Sequence, residues 1–170
     1  MAWRLDVFVT INEQKPENCE GIELVGSAED IEIDYTNGIA YLSILDRKAL
    51  IQEKDVQGSI GKIDLNNMPW EIETVFTGKD LGNFRPHGLS IYGNTLAAIN
   101  HPKERGTEPE SIEMFLISEK GIVHDKTLNS KLLESPNDLV LVDENKLYIG
   151  NDSMFNSNIS SFGKIQQQMG

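Results

Sequence analysis

Glu29-Asp30-Ile31-Glu32-Ile33-Asp34 runs through the turn Asn37-Gly38 into Ile39-Ala40-Tyr41-Leu42-Ser43-Ile44, and the reading of this stretch decides the fold. It holds a polar pair, an alternating run, a tight turn and a second apolar run. The same order returns twice. His87-Gly88 precedes Leu89-Ser90-Ile91-Tyr92, and Gly93-Asn94 leads on to Leu96-Ala97-Ala98-Ile99. Asn137-Asp138 precedes Leu139-Val140-Leu141-Val142-Asp143, and Glu144-Asn145 leads on to Leu147-Tyr148-Ile149. Apolar residues at every second position predict half-buried strands, and denser apolar runs predict buried ones. Glycine and asparagine between the runs supply the turns.

The openings at Asp30, Gly88 and Asp138 lie 58 and 50 residues apart. The first interval predicts strands over 31–34, 40–44, 59–65 and 72–76, and the second over 89–92, 96–100, 112–117 and 122–126. A third unit begins with 139–142 and 147–150 and continues at 159–165. The best helix candidate, Thr127 to Leu133, is a turn or two long. Four antiparallel strands per unit are the pattern of a β-propeller blade. A β-sandwich also uses many short strands but does not account for a polar pair at the head of each unit. The expectation is therefore an all-β, partial β-propeller domain over 1–170, with blades at about 25–78, 84–127 and 136–165. In a propeller the innermost strands line a central channel, so matching positions of successive units face one another. Closed propellers have about four to eight blades. Two and a half to three blades do not close, so the ring needs either more chain or a second copy, a homodimer.

A chain of 170 residues suffices for one domain with a core. The net charge of −12 argues against nucleic acid and against anionic membranes as partners. It suits a calcium binder and equally a solvated acidic surface. No apolar run reaches the ~18 residues of a transmembrane segment. The opening Met1 to Ile11, with Arg4 and Asp6, reads as a strand or the remnant of an anchor rather than an export signal. Cys19 is the single cysteine, so no disulfide framework forms within the chain, and a small buried residue is its plain reading.

Each polar pair has an ordinary explanation too. Glu29-Asp30 reads as a solvated turn, Asn137-Asp138 after Pro136 as an Asx turn, and His87 as a loop histidine. His124 reads as a surface residue on an outer strand, and Trp3 and Trp70 as packing residues. Asn151-Asp152-Ser153 and Asn158-Ile159-Ser160 fit the glycosylation acceptor pattern, which is frequent by chance.

In chain order, Cys19 to Asp30, Pro86-His87-Gly88-Leu89-Ser90, Asn100-His101-Pro102, Pro136-Asn137-Asp138-Leu139 and Gly150-Asn151-Asp152 together resemble the paraoxonase (arylesterase/lactonase) family of the gluconolactonase-like superfamily. The resemblance covers about residues 19–152 and implies the N-terminal half of a six-bladed propeller with two calcium ions in its channel. Glu29 and Asn137 match ligands of the catalytic ion. Asp30, Asp138 and the Leu89 carbonyl match ligands of the structural ion. His87 matches the proposed general base and His101 its neighbour. Cys19 matches a cysteine that in animal members pairs with one near the C-terminus, and no such partner is present here. Relatives are often secreted or membrane-anchored, but the sequence leaves localisation open.

Calcium takes six to eight oxygens, and carboxylates and amide carbonyls are the right donors. Adjacent residues on a strand point to opposite faces, which would suit two stacked ions. Glu29 and Asn137 offer few oxygens, so one site, the lower, is expected to hold calcium in this chain. The resemblance implies hydrolysis of lactones and aryl esters as small-molecule substrates, with the site filled in part. The alternative is a calcium-stabilised propeller segment that binds or assembles without turnover.

Overall fold

The computed structural model describes residues 19–52 and 55–152. They form ten strands, all antiparallel to their neighbours. The first sheet is β1 (Ser27–Asp34), β2 (Ile39–Leu45), β3 (Ser59–Asp64) and β4 (Glu73–Thr77), in that order. The second is β5 (Pro86–Tyr92), β6 (Thr95–Asn100), β7 (Ser111–Ser118) and β8 (Gly121–Asn129). A third begins with β9 (Pro136–Asp143) paired to β10 (Lys146–Asn151). This is the architecture of propeller blades, two of them four-stranded, and among the described residues no sheet closes on itself.

Burial follows from stacking. In β6 the side chains alternate between two apolar layers. Leu96 and Ala98 join Tyr41, Ile60, Phe84, Leu89, Phe115 and Ile122 in the layer against the first sheet. Ala97 and Ile99 join Ile112, Met114, Leu133, Leu139 and Leu141 in the layer against the third. A strand covered on both faces is apolar throughout, which explains the dense Leu96 to Ile99 run. Phe76, Phe84 and Phe115 meet edge to face, with centroids 5.4, 4.8 and 6.0 Å apart. Two glycines let the layers close. A Cβ on Gly78 would lie 2.3 Å from Cβ of Phe84, and one on Gly58 would lie 2.3 Å from Cδ of Pro86.

Some expectations need correction. No helix forms at Thr127 to Leu133, because β8 stays paired with β7 through Thr127, Leu128 and Asn129. The α-helix of the described residues is instead the short α1 (Arg47–Ile51), capped by Asp46, whose carboxylate accepts the Ala49 N–H at 2.9 Å. Cys19 is exposed and Trp70 is 43% exposed, so neither is a core residue. His124 is half-buried and bonds Glu113 Oε2 at 2.9 Å. The Nδ2 of Asn151 already donates to the Leu132 carbonyl at 3.1 Å. Trp3, Ser153, Asn158 and the strand expected at 159–165 lie outside the described residues. Among the described residues no helix is long and apolar enough to cross a membrane.

Candidate functional site

Each inner strand carries an extra residue at the same place. Ala28 and Ile31 of β1 face Ile44 and Leu42, so three steps on one strand match two on the other, around Glu29-Asp30. Pro86 and Leu89 of β5 face Asn100 and Ala98, with His87-Gly88 between. In β9 the shift falls between Pro136 and Asp138, at Asn137. These are β-bulges, which break the strict up-and-down alternation and re-aim the side chains beside them. Strict alternation therefore does not by itself fix where the members of each pair point.

The three bulges meet. His87 Nδ1 lies 3.0 Å from Glu29 Oε2 and 2.8 Å from the Asn137 carbonyl oxygen. Both neighbours are acceptors, so Nδ1 carries the hydrogen, and in the neutral ring Nε2 holds the free electron pair. Glu29 Oε1 reaches Arg47 Nη2 at 3.3 Å, so a residue of α1 also belongs to the site. Asp30 Oδ2 accepts the Leu89 N–H at 2.7 Å, and Glu32 Oε1 accepts the Ile91 N–H at 3.3 Å. The Ser90 hydroxyl accepts the Leu141 N–H at 3.0 Å. The innermost strand of each later sheet is an edge, with unpaired N–H groups on its inner side. The preceding sheet supplies the acceptors that satisfy them.

Gly88 sits where two sheets touch. A Cβ there would lie 2.8 Å from the Asn137 carbonyl oxygen, from Asp138 Cα and from Asp138 Oδ1. The side-chain amide nitrogen of Asn137 donates to Asp152 Oδ2 at 3.1 Å, which turns the side-chain Oδ1 away from Asp152. The Glu32 carboxyl is pushed above the ordinary carboxylate range by burial, against the Ile91 N–H, with the charges of Asp30 and Asp138 adding to the rise. The charges of Asp30 and Asp138 thus bear on Glu32, and the side chains of Asp30 and Asp138 accept only main-chain N–H groups among the described residues.

The donor set tests the calcium reading. No three His, Cys, Asp or Glu side chains among the described residues lie close enough to hold an ion by themselves. The donors brought together are carboxylates, one amide carbonyl and main-chain carbonyls, all hard oxygens. They fit calcium in donor type and would supply part of a shell of six to eight, although the Glu29 carboxylate is already met by Arg47 and His87.

His101 lies behind His87, ring against ring, with centroids 4.7 Å apart and planes at 62°. Its Nδ1 is 2.6 Å from Glu110 Oε2, and its Nε2 is enclosed without a partner among the described residues. Burial pulls its pKa below the ordinary 6.5, helped by Arg105 and His87 and opposed by Glu110. The unfolded chain therefore takes up this proton at a higher pH than the folded one. The stability tied to His101 is complete above 6.5 and is lost as pH falls from there toward the lower folded value. Thermal midpoints between pH 7.5 and 5 should fall less steeply in a His101→Asn variant than in the unchanged protein. Equal slopes would show that His101 is not the group responsible.

The sequence pointed to Glu29, Asp30, His87, Leu89, His101, Asn137 and Asp138, and the structure brings all of them to this region. It assigned no role to Glu32, Arg47, Glu110 or Asp152, although Asp152 ends the Gly150-Asn151-Asp152 motif. Glu32 was legible in principle, as the polar member of an alternating strand beside Asp30. The other three lie on loops, turns or a single-turn helix and carry no spacing signal.

The family model described as Arylesterase matches residues 10–167. The chain is 32% identical to human serum paraoxonase/lactonase 3, over 94% of this chain and 47% of that protein. It is 35% identical to serum paraoxonase/arylesterase 2 of Gallus gallus, over 89% of this chain and 45% of that protein. Human serum paraoxonase/arylesterase 1 is 32% identical over 89% and 45% respectively. The chain spans about half the length of the curated relatives it matches.

Proposed function

This chain belongs to the Arylesterase family, and from that premise we propose that it carries the proton-handling half of a calcium-dependent hydrolase of lactones and aryl esters. The observation that supports this most directly is the hold on His87. Glu29 and the Asn137 carbonyl both accept from Nδ1, so Nε2 is left as a base. In that role it takes a proton from water as the water attacks a carbonyl carbon. Enclosed His101 behind it steadies the ring and offers a second nitrogen for the proton.

Glu29 and Asn137 would hold the calcium ion next to the substrate, and Asp30, Asp138 and the Leu89 carbonyl the deeper one. Calcium bound there supplies electrophilic assistance to the carbonyl oxygen. The share of the shell present here favours the deeper ion. Glu29 serves both systems, since its carboxylate bonds His87 and Arg47 and is also a proposed ligand.

The test is hydrolysis of an aryl ester and of a lactone, with and without calcium, beside calorimetric calcium binding. General acid–base catalysis contributes about 10²–10⁴-fold, so His87→Gln should lose activity on that scale. Its calcium affinity should change little, because His87 supplies no oxygen. Calcium binding with no turnover in the unchanged protein would favour the non-catalytic segment instead. Turnover indifferent to both calcium and His87 would end the proposal.

A further inference from the structure

The loop between β6 and β7 brings a second charged pair to the histidines. Glu110 is 6% exposed, yet both of its carboxylate oxygens are engaged. Oε2 meets His101 Nδ1 at 2.6 Å, and Oε1 accepts from Arg105 Nε at 3.1 Å. Arg105 Nη2 also reaches the Ser135 hydroxyl at 3.4 Å, beside the start of β9. The His101 main-chain N–H donates to the Arg85 carbonyl at 3.1 Å, so backbone and ring of the histidine are both fixed.

The chemistry of this arrangement is specific. A carboxylate facing Nδ1 can only accept, so Nδ1 bears the hydrogen and Nε2 is bare. That bare nitrogen is enclosed without a donor among the described residues, while the ring packs edge to face on His87. Buried acceptors normally find partners, and the exceptions ask for a reason. A nitrogen kept free to take a proton supplies one.

We propose that Glu110, braced by Arg105, is a positioning residue that locks His101 in its Nδ1–H form and so extends the histidine pair to an ordered array of His87, His101 and Glu110. Its catalytic consequence rests on the hydrolase reading above, but the locking itself does not. Burial favours the neutral ring, the state in which Nε2 accepts. The carboxylate orients the imidazole and steadies it when it becomes charged, as the acid member of a hydrolase triad does for its histidine.

The experiment is nitrogen NMR of the unchanged protein labelled in its histidines. The expected spectrum shows His101 protonated at Nδ1 and unprotonated at Nε2. Protonation at Nε2 instead would overturn the proposal without any variant being made. In Glu110→Leu the acceptor is gone, and His101 should revert to a mixture of the two forms. In Glu110→Gln the amide oxygen still accepts, and the Nδ1–H form should persist. An unchanged His101 spectrum in Glu110→Leu would also overturn it. Loss of an orienting partner behind a working group costs about 10- to 100-fold, so kcat for an aryl ester should fall by that factor in Glu110→Leu with KM held, and Glu110→Gln should restore most of it. A fall in kcat no different between the leucine and glutamine variants would count against orientation as the cause. If the unchanged protein hydrolyses nothing, the functional reading fails while the nitrogen spectrum still decides the lock.

Discussion

Phe115→Ala is expected to destabilise the protein by about 3–5 kcal/mol, the range for emptying a fully buried aromatic site. Phe115 has no exposed surface and lies among Leu96, Ala98, Phe84 and Phe76, where the first sheet packs on the second. It also lies edge-on to the His124 ring at 5.5 Å, so its loss loosens the group that bonds Glu113. Glu113 is almost completely buried. Burial alone would raise its pKa, but hydrogen bonds from Thr127, Ser111, Asn100 and His124 outweigh it and hold the carboxyl below its ordinary range. A cavity at Phe115 therefore disturbs a buried charge as well as an apolar layer. Domains are stable by about 5–15 kcal/mol, so the variant should melt far earlier and show a lower urea midpoint at similar slope. The control is Val123→Ala on β8, whose side chain is 63% exposed and should matter by no more than about 0.5 kcal/mol. If the two variants unfold alike, the apolar layer between the first two sheets is not the main source of stability.

Gly88→Ala carries the second large effect, through steric overlap. The added methyl would stand 2.8 Å from the Asn137 carbonyl oxygen and from Asp138 Cα, atoms of main chain that cannot rotate away. Overpacking of this kind costs about 1–3 kcal/mol. The functional loss should exceed the loss of stability. Moving β9 outward draws the Asn137 carbonyl from His87 Nδ1 and separates Asp138 from Asp30 and Glu32. Calorimetry should show weaker calcium binding, and nitrogen NMR should show His87 no longer held in one form. Gly21→Ala, with nothing within 4 Å of the new methyl, is the matched control. Calcium binding in Gly88→Ala equal to that of the control would mean that the contact between the second and third sheets does not shape the site.

Most of the sheet order was legible, because alternation and turn chemistry are local. The Leu96 to Ile99 run reads as buried, and it is buried because one face meets each neighbouring sheet. What was not legible arises from pairing. A bulge is a mismatch between two strands, and nothing in Glu29-Asp30 or His87-Gly88 alone announces it. Thr127 to Leu133 failed as a helix for a related reason: partners on β7 decide the state of its first residues. Glu110 reaches His101 across a nine-residue separation within an irregular loop, so only the folded chain puts them together. His124 was read as a surface group because its partner, Glu113, lies on the neighbouring strand, two residues from Phe115, the residue that His124 faces.

The seams between sheets have a direction. Carboxylates of β1 receive the N–H groups of β5, and a hydroxyl of β5 receives one from β9, so in these bonds each unit accepts from its successor and donates to its predecessor, the His87 bond to the Asn137 carbonyl being the exception. Two like faces pressed together could not both be satisfied, since each would offer what the other already has. Copies of such a chain that met through these surfaces would join head to tail. Depending on the angle of each step, that bond bends round to a finite circle or runs on as an open fibre.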